Sequence, residues 1–547
     1  MASVILPRRI FEKEIGKLDE KMEERIAMLG TPVEKITKDE IEIEIFPNRP
    51  DLLSYHGFKR ALLAFLGKET GLKKYKINKS KENYKVKVDE SLKDIRPYTA
   101  CAVVKGLKLD SEKIKEIIEI QEKLHLTLGR KRKKLAIGIY PLDQIKFPIT
   151  FQALEPDKIK FMPLDYEKEI SGLEILQKHP AGKEYAHLLS GKARFPVFID
   201  AKKDILSMPP VINSQITGKV TEKTKDIFVE CSGFDFNLLK KCLNILVSAL
   251  ADIGGEIYEI EVDYGKMKKI TPDFEPEVIS VNPANVNKLL GLELKENDIE
   301  KLLKKMGYDY NKNVAEIPSW RIDILHEVDV IEDVAIAYGY ENFIPEIPEI
   351  STIGESAPEE ILKKRISDII SGLGMQEVSN YHLTTIQDQS EKMGEKDNSE
   401  IMLENSKTDY NVLRKNLSHY LLKILAENVD KEFPQKIFET GKIFYLKDGI
   451  PHEKNSLAFA ISAGNFTEAK QILDYLFRML GMDIKIEEPK ESPAYFIEGR
   501  TGAIKLENKI MGHIGEIHPR ILRNWRIRMP VALCEMDFDE ILKCLKK

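Results

Sequence analysis

Within residues 321–340 the apolar positions recur at helical spacing. Val328, Ile331, Ala335 and Tyr338 fall on one face, while Asp329, Glu332 and Asp333, at i, i+3 and i+4, fall on the other. Gly339 follows where a helix of this kind is capped. The same period predicts helices over residues 235–251, with Leu238, Cys242, Ile245, Leu246 and Ala249 inward, and over 298–306 and 358–372. A further helix carries Leu62, Leu63, Phe65 and Leu66, with Asp51 placed to cap it. Residues 41–46 alternate Ile with Glu, the signature of a half-buried strand. Strands are also expected at 197–200, 226–230, 256–262, 314–318, 377–383, 436–445, 456–462 and 531–537. Helices and strands mixed in this order, with no short-period repeat, predict a multi-domain α+β chain.

Punctuation between these elements divides the 547 residues into four expected modules: 1–85, 86–268, 269–345 and 346–547. The basic, polar run 73–87 reads as the first linker, and residues 344–351, with Pro345 and Pro348, as the last.

Charge and composition narrow the chemistry. Lys and Arg number 84 against 89 Asp and Glu, a net charge of −5, so no global field draws the chain to nucleic acid and any such contact must be local. The sharpest basic cluster is Arg130, Lys131, Arg132, Lys133 and Lys134, in the run GRKRKK. Read alone, it is either a solvated surface run or a phosphate contact. Five cysteines without a C-x-x-C pair are expected to be reduced thiols, neither a disulfide framework nor a zinc site. The apolar run at the N-terminus is too short for a signal peptide, and no stretch reaches the about 18 apolar residues of a membrane span. A cytoplasmic protein with no membrane partner is expected.

Asp323 lies six residues ahead of Asp329, within reach of the same acidic face from the preceding turn. Asp323, Asp329, Glu332 and Asp333 together offer hard oxygen donors that suit Mg²⁺; the other reading of the same spacing is a solvated acidic face. Several suggestive strings are decoys. The run HIGE at 513–516 and KMGEK at 392–396 stand in the wrong order and place for a nucleotide-binding half. Gly372-Leu373-Gly374 lacks the third glycine of a dinucleotide loop and reads as a helix end, and neither a phosphate-binding P-loop nor an H-E-x-x-H zinc helix occurs.

Four segments resemble, in order, one known family. The run from Asp323 to Tyr340, preceded by IPSWR at 317–321, is similar to the metal-bearing helical domain of phenylalanyl-tRNA synthetase β subunits. Residues 46–54 (FPNRPDLLS) resemble the N-terminal signature of that family, and residues 121–143 its archaeal and eukaryotic editing region. Residues 403–417 (LENSKTDYNVLRKNL) with KIFETG at 436–441 resemble its C-terminal module.

The resemblance implies an editing domain, a small metal-bearing helical domain and a C-terminal antiparallel core of class II synthetase type without its catalytic motifs. The arginine that clamps the ATP phosphate in such cores falls on Ile437, and residues 530–537 (PVALCEMD) lead into no glycine-arginine segment. Activation of phenylalanine with ATP is therefore expected on a separate α subunit, within an (αβ)₂ heterotetramer that charges tRNA(Phe). A pocket shaped for phenylalanine rejects tyrosine, one hydroxyl larger, by only about 10²-fold, which creates a need for hydrolytic proofreading. In the family's terms the editing pocket maps to Leu206, Ser214, Glu230 and Ser232. Glu230 accepts the tyrosine hydroxyl, Leu206 packs on its ring, and the basic cluster holds tRNA. Glu230 and Ser232 stand where the family can have Asp and Thr. No Ser-His-Asp arrangement lies nearby, so a positioned water is the expected nucleophile. A stand-alone tRNA-binding or trans-editing protein, and a scaffold with editing lost, are the rival readings.

Overall fold

The computed structural model describes residues 2–395, 399–507 and 509–545, in two compact units, Met1–Ile347 and Pro348–Lys547. In the first unit the alternating stretch forms Glu40–Ile45, the centre of a three-stranded antiparallel sheet between Ala2–Pro7 and Val33–Ile36. The following helix, Tyr55–Phe65, is capped by Ser54, which accepts from the Gly57 amide at 3.0 Å. Asp51 is not the cap. It is buried and accepts two hydrogen bonds from Arg49, at 2.9 and 2.8 Å.

The middle of the unit is built on two sheets. One has five strands in the order Ile77–Asn78, Glu256–Tyr258, Tyr98–Lys105, Ile227–Gly233, Leu135–Pro141. The other has seven: Ile212–Asn213, Ile205–Met208, Phe195–Ile199, Ile149–Leu154, Lys85–Val88, Ile260–Asp263, Lys268–Thr271. The single strand expected over 256–262 is broken at Glu259, and its halves belong to different sheets. Residues 73–87 are not a linker, since Ile77–Asn78 and Lys85–Val88 each join a sheet beside those halves. Along Ile227–Gly233, Ile227, Val229 and Cys231 pack with the helix Phe236–Asp252. Phe228 faces the other way, into a layer with Tyr140, Phe151, Phe198 and Leu206 drawn from both sheets. By the two-residue period Glu230 and Ser232 share that inter-sheet face. Asp235 caps Phe236–Asp252 through the Asn237 and Leu238 amides; Cys242, Ile245, Leu246 and Ala249 are buried as expected, and Leu239 takes the place given to Leu238. Each such buried leucine or isoleucine contributes about 1.5–3 kcal/mol.

The last part of the unit has a three-stranded sheet of Glu277–Ser280, Val314–Ile317 and Asp309–Asn311, with helices Pro283–Leu290, Glu296–Lys305 and Glu327–Tyr338. One hydrophobic cluster runs from Val4 to Ala337, so the first three expected modules share a core. In Glu327–Tyr338 the buried positions are Val330, Ile331, Asp333, Val334, Ala335 and Ala337, while Val328 is exposed. The apolar stripe is therefore rotated from the expected one. Gly339 ends the helix at φ 94°.

The second unit is a seven-stranded sheet in the order Gln376–Glu377, Gln435–Lys447, Ile450–Ser462, Val531–Asp537, Lys509–Ile517, Phe496–Leu506, Lys485–Glu487. Only the first pair is parallel. Helices Pro358–Gly372 and Phe466–Leu480 cover one face and Ser418–Glu427 the other. The expected helix 358–372 and strand 531–537 are present, and 436–445 and 456–462 are arms of one long hairpin. The strand expected over 377–383 shrinks to Gln376–Glu377 and Leu383–Thr384. HIGE is part of the strand Lys509–Ile517, where a Cβ on Gly515 would lie 2.8 Å from the Phe496 ring and 3.1 Å from the Arg500 carbonyl oxygen, so close packing accounts for that glycine. Gly374, at φ 77°, follows the helix end, and Lys396 of the KMGEK string lies outside the described residues. No helix among the described residues is long and apolar enough to cross a membrane.

Candidate functional site

A cavity of about 390 Å³ opens between the helix Ser111–Leu126, the strand Leu135–Pro141 and the turn after Ile205–Met208. Glu122, His125, Arg132, Pro210 and Val211 line its wall, and Glu230 reaches it from the five-stranded sheet. His125 is buried; its Nε2 accepts the Ile137 amide at 2.8 Å and its Nδ1 lies 3.2 Å from Glu122. Burial holds the imidazole below its ordinary pKa, so it is neutral near pH 7. Glu122 behaves oppositely: against its own desolvation, His125 and Arg132 bring its carboxyl down to about 2.

Glu230 is the chemically unusual group. It is 1% exposed, and burial pushes its carboxyl up to about 8 against the opposing pull of Arg96 and of the Tyr140 and Ser232 hydroxyls. Its Oε1 accepts from the Tyr140 hydroxyl at 3.3 Å, and that hydroxyl also lies 2.7 Å from Ser207 Oγ. Its Oε2 has no partner among the described residues. An unsatisfied buried polar atom costs about 1–3 kcal/mol, which a ligand hydroxyl would recover. Directly across the strands, Gly138 is paired with Glu230; a Cβ there would sit 2.1 Å from the Tyr140 hydroxyl and 2.6 Å from Glu230 Oε1. Glycine is what allows the carboxyl and the phenol to meet.

The other three residues expected in the pocket are buried behind its wall. Ser232 Oγ and carbonyl accept from Arg96 at 3.0 and 2.6 Å. Leu206 belongs to the inter-sheet cluster, with its carbonyl accepting the Ser214 amide at 2.8 Å. Ser214 Oγ accepts from the Ile216 amide at 3.3 Å. Tyr140, Ser207, Arg96 and Gly138 were not anticipated. Tyr140 and Gly138 lie within the resembling segment 121–143 and Ser207 beside Leu206, but only strand register brings them to Glu230.

In the basic run, Arg130, Lys131, Lys133 and Lys134 are exposed. Arg132 is not: its guanidinium turns inward to Glu122 at 2.9 Å and to the Val211 carbonyl at 2.9 Å, so its charge is already committed.

The acidic set is also dispersed. Asp323 takes a two-pronged contact from buried Arg321, at 2.8 and 2.7 Å. Asp333 forms an ion pair with the same guanidinium at 2.9 Å and accepts from the Tyr308 hydroxyl at 2.5 Å, on the core side of the helix. Asp329 caps the helix through the Leu325 and His326 amides, both 2.8 Å away, and Glu332 is exposed. Among the described residues no group of three or more His, Cys, Asp or Glu is placed to hold a metal ion. The four carboxylates thus do not fit one shared Mg²⁺ as the chain stands, because a guanidinium already neutralises two of them. The signature residues nearby also make a joint: Arg60 pairs with Asp252 at 2.7 Å while lying 4.4 Å over the Trp320 ring, and Arg49 feels the charges of both Arg321 and Asp323.

In the second unit two carboxylates on the sheet are held by neighbouring donors. Glu439 accepts from fully buried Arg414 and from Asn380, both at 2.6 Å, and neighbouring Ile437 lies in an apolar cluster. Half-buried Glu535 accepts the Leu417 and Ser418 amides at 2.9 Å.

These two units, one with a polar-floored cavity and one built on a largely antiparallel seven-stranded sheet, match tRNA synthetase domains. A family model described as tRNA synthetase B5 domain matches residues 279–340, and one described as phenylalanyl tRNA synthetase beta chain CLM domain matches residues 344–538. Phenylalanine–tRNA ligase beta subunit from Thermococcus sibiricus is 42% identical over 499 residues, covering 89% of this chain and 88% of that one. The same subunit from Archaeoglobus fulgidus is 38% identical over 541 residues, 96% of each chain. The crystal structure of an N-terminal fragment of the phenylalanyl-tRNA synthetase beta subunit from Pyrococcus horikoshii superposes with a TM-score of 0.59 at 39% identity, covering 62% of this chain and 99% of the fragment. The chain belongs to the phenylalanine–tRNA ligase β-subunit family.

Proposed function

We propose that this chain is the β component of an (αβ)₂ phenylalanine–tRNA ligase of the cytoplasm, in which the α subunit activates phenylalanine with ATP and this chain binds tRNA(Phe) and hydrolyses mischarged Tyr-tRNA(Phe). The observation that carries the hydrolytic role is Glu230, whose Oε2 is an orphan at the floor of a cavity walled by apolar side chains together with Glu122, His125 and Arg132. Below about pH 8 its carboxyl keeps a proton, so it accepts through Oε1 and donates through Oε2. A phenol satisfies that oxygen and a phenyl ring leaves it unpaired, which is the asymmetry needed to retain Tyr and release Phe. In this reading residues 86–268 form the editing domain, and residues 346–547 a class II-like core without catalytic residues. Ile437 supports the second assignment, because an apolar side chain cannot clamp a phosphate. The exposed Arg130, Lys131, Lys133 and Lys134 supply phosphate contacts.

For Mg²⁺, Asp329 and Glu332 are the residues left with open oxygen atoms on the helix Glu327–Tyr338. Asp323 and Asp333 join them only if Arg321 releases its carboxylates, so retention of the ion here requires the assembled complex.

The test is deacylation of Tyr-tRNA(Phe) by the parent complex and by Glu230→Ala. Loss of one buried hydrogen bond is expected to reduce discrimination about tenfold or more while phenylalanine charging continues. Equal rates would remove Glu230 from the site, and no deacylation by the parent would remove editing. The purified chain alone should not exchange pyrophosphate into ATP with phenylalanine.

A further inference from the structure

The run 129–134 combines two features that a plain charged surface loop does not need. Arg130, Lys131 and Arg132 are three consecutive non-glycine residues in the left-handed region, at φ 47°, 53° and 63°. Such residues cost on the order of 1 kcal/mol each, so the turn persists only because its surroundings hold it. Its backbone is tied to the end of the preceding helix, with the Arg132 amide donating to the His125 carbonyl at 3.1 Å and Lys134 closing onto Gly129 at 2.8 Å.

The second feature is what this conformation does with Arg132. It sends that side chain into the cavity wall while its neighbours stay in solvent. The guanidinium spans two elements. Nη2 donates to Glu122 on the helix Ser111–Leu126, at 2.9 and 3.2 Å, and Nη1 donates to the Val211 and Pro210 carbonyls, at 2.9 and 3.3 Å. Its face lies 4.4 Å from the Tyr185 ring centre. A planar fork can bridge a carboxylate and two carbonyls while stacking on an aromatic ring; an ammonium cannot.

We infer that Arg132 is a positioning residue that couples the exposed cations of its loop to the turn at 209–211, so that a polyanion seated on Arg130, Lys131, Lys133 and Lys134 fixes the wall of the cavity. The inference rests on the proposed hydrolysis for its biological meaning but not for its test. Phosphates drawn to the four exposed cations restrain a turn that has no freedom to move without moving Arg132. Restraint of Arg132 holds Glu122 and the 209–211 turn at their present separation, with Glu230 on the cavity floor between them. Bound nucleic acid thereby orders the pocket that its own 3′ end enters.

The experiment compares the parent complex with Arg132→Lys and with Lys131→Ala/Lys133→Ala, using unacylated tRNA(Phe) for hydrogen exchange and Tyr-tRNA(Phe) for kinetics. In the parent, added tRNA should slow exchange of the amides at 211–214. Arg132→Lys keeps the charge, so tRNA affinity should stay within about twofold, while the protection at 211–214 is lost and kcat for deacylation falls by roughly ten- to a hundredfold. The double lysine variant should do the reverse, raising KM and flattening the salt dependence with kcat retained. If Arg132→Lys instead tracks the lysine variant, Arg132 is one more phosphate contact and the coupling is wrong. Absence of any tRNA-dependent protection in the parent overturns it without reference to a variant. Protection in a parent that does not deacylate would sink the hydrolytic reading and leave the coupling standing.

Discussion

Replacing Glu230 by glutamine removes an ionisation while keeping the side chain's shape, and its consequence for stability has a definite sign. The folded chain holds the Glu230 proton up to about pH 8, whereas an unfolded chain releases it near the ordinary 4.5. Between those values the unfolded state binds fewer protons, so stability contributed by the neutral carboxyl is fully present below about 4.5 and is lost as pH rises towards 8. The slope approaches about 1.4 kcal/mol per pH unit and the accumulated loss is roughly 5 kcal/mol, an order-of-magnitude figure for a fully buried group. Glu122, lowered to about 2, contributes in the opposite direction at acid pH, but it is common to both proteins and cancels in the difference. Hydrogen exchange of the strand Ile227–Gly233 in the full chain, followed from pH 5 to 9, measures the local opening free energy without assuming that so large a protein unfolds in one step. Glu230→Gln should gain on the parent steadily through this range and level off above pH 8. Parallel curves would mean that Glu230 is ionised or hydrated in the folded chain, and its proposed donor role would fall with that result.

Gly138→Ala should displace Tyr140 or Glu230, cost about 1–3 kcal/mol in thermal unfolding, and abolish Tyr-tRNA deacylation; an alanine variant with parental activity would contradict the geometry. Arg414→Met leaves Glu439 buried without its partner and should cost about 3–5 kcal/mol, most of it recovered in Arg414→Met/Glu439→Leu, as measured by denaturant unfolding of both variants. Calorimetric titration with Mg²⁺ should show no site at Asp323, Asp329, Glu332 and Asp333 in the isolated chain. Asp329→Asn/Glu332→Gln should lower Mg²⁺ retention only in the complex with the α subunit, and tight binding by the isolated chain would restore the four-carboxylate site.

What the sequence determined unaided was local. Helix 358–372, the strand 531–537 and the Asp235-led helix follow from period, capping and turn chemistry, all set by near neighbours. Family membership was equally legible, because short signatures survive as contiguous strings in a conserved order of segments. The placement of side chains from distant segments was not. Spacing put Asp329, Glu332 and Asp333 on one face, yet Arg321 and Tyr308 draw Asp333 to the core side, and a solvated acidic face gave way to a buried ion-paired joint. Glu230 was found by resemblance, but its raised proton affinity comes from burial, against the opposing pull of Arg96, Tyr140 and Ser232, and both the burial and these partners arise from strand register and the apposition of two sheets. Arg132 looked like one of five equivalent surface cations until three left-handed residues turned it inward. Desolvation and hydrogen-bond partners act through space, and the distances that set them exist only once segments far apart in the chain have packed.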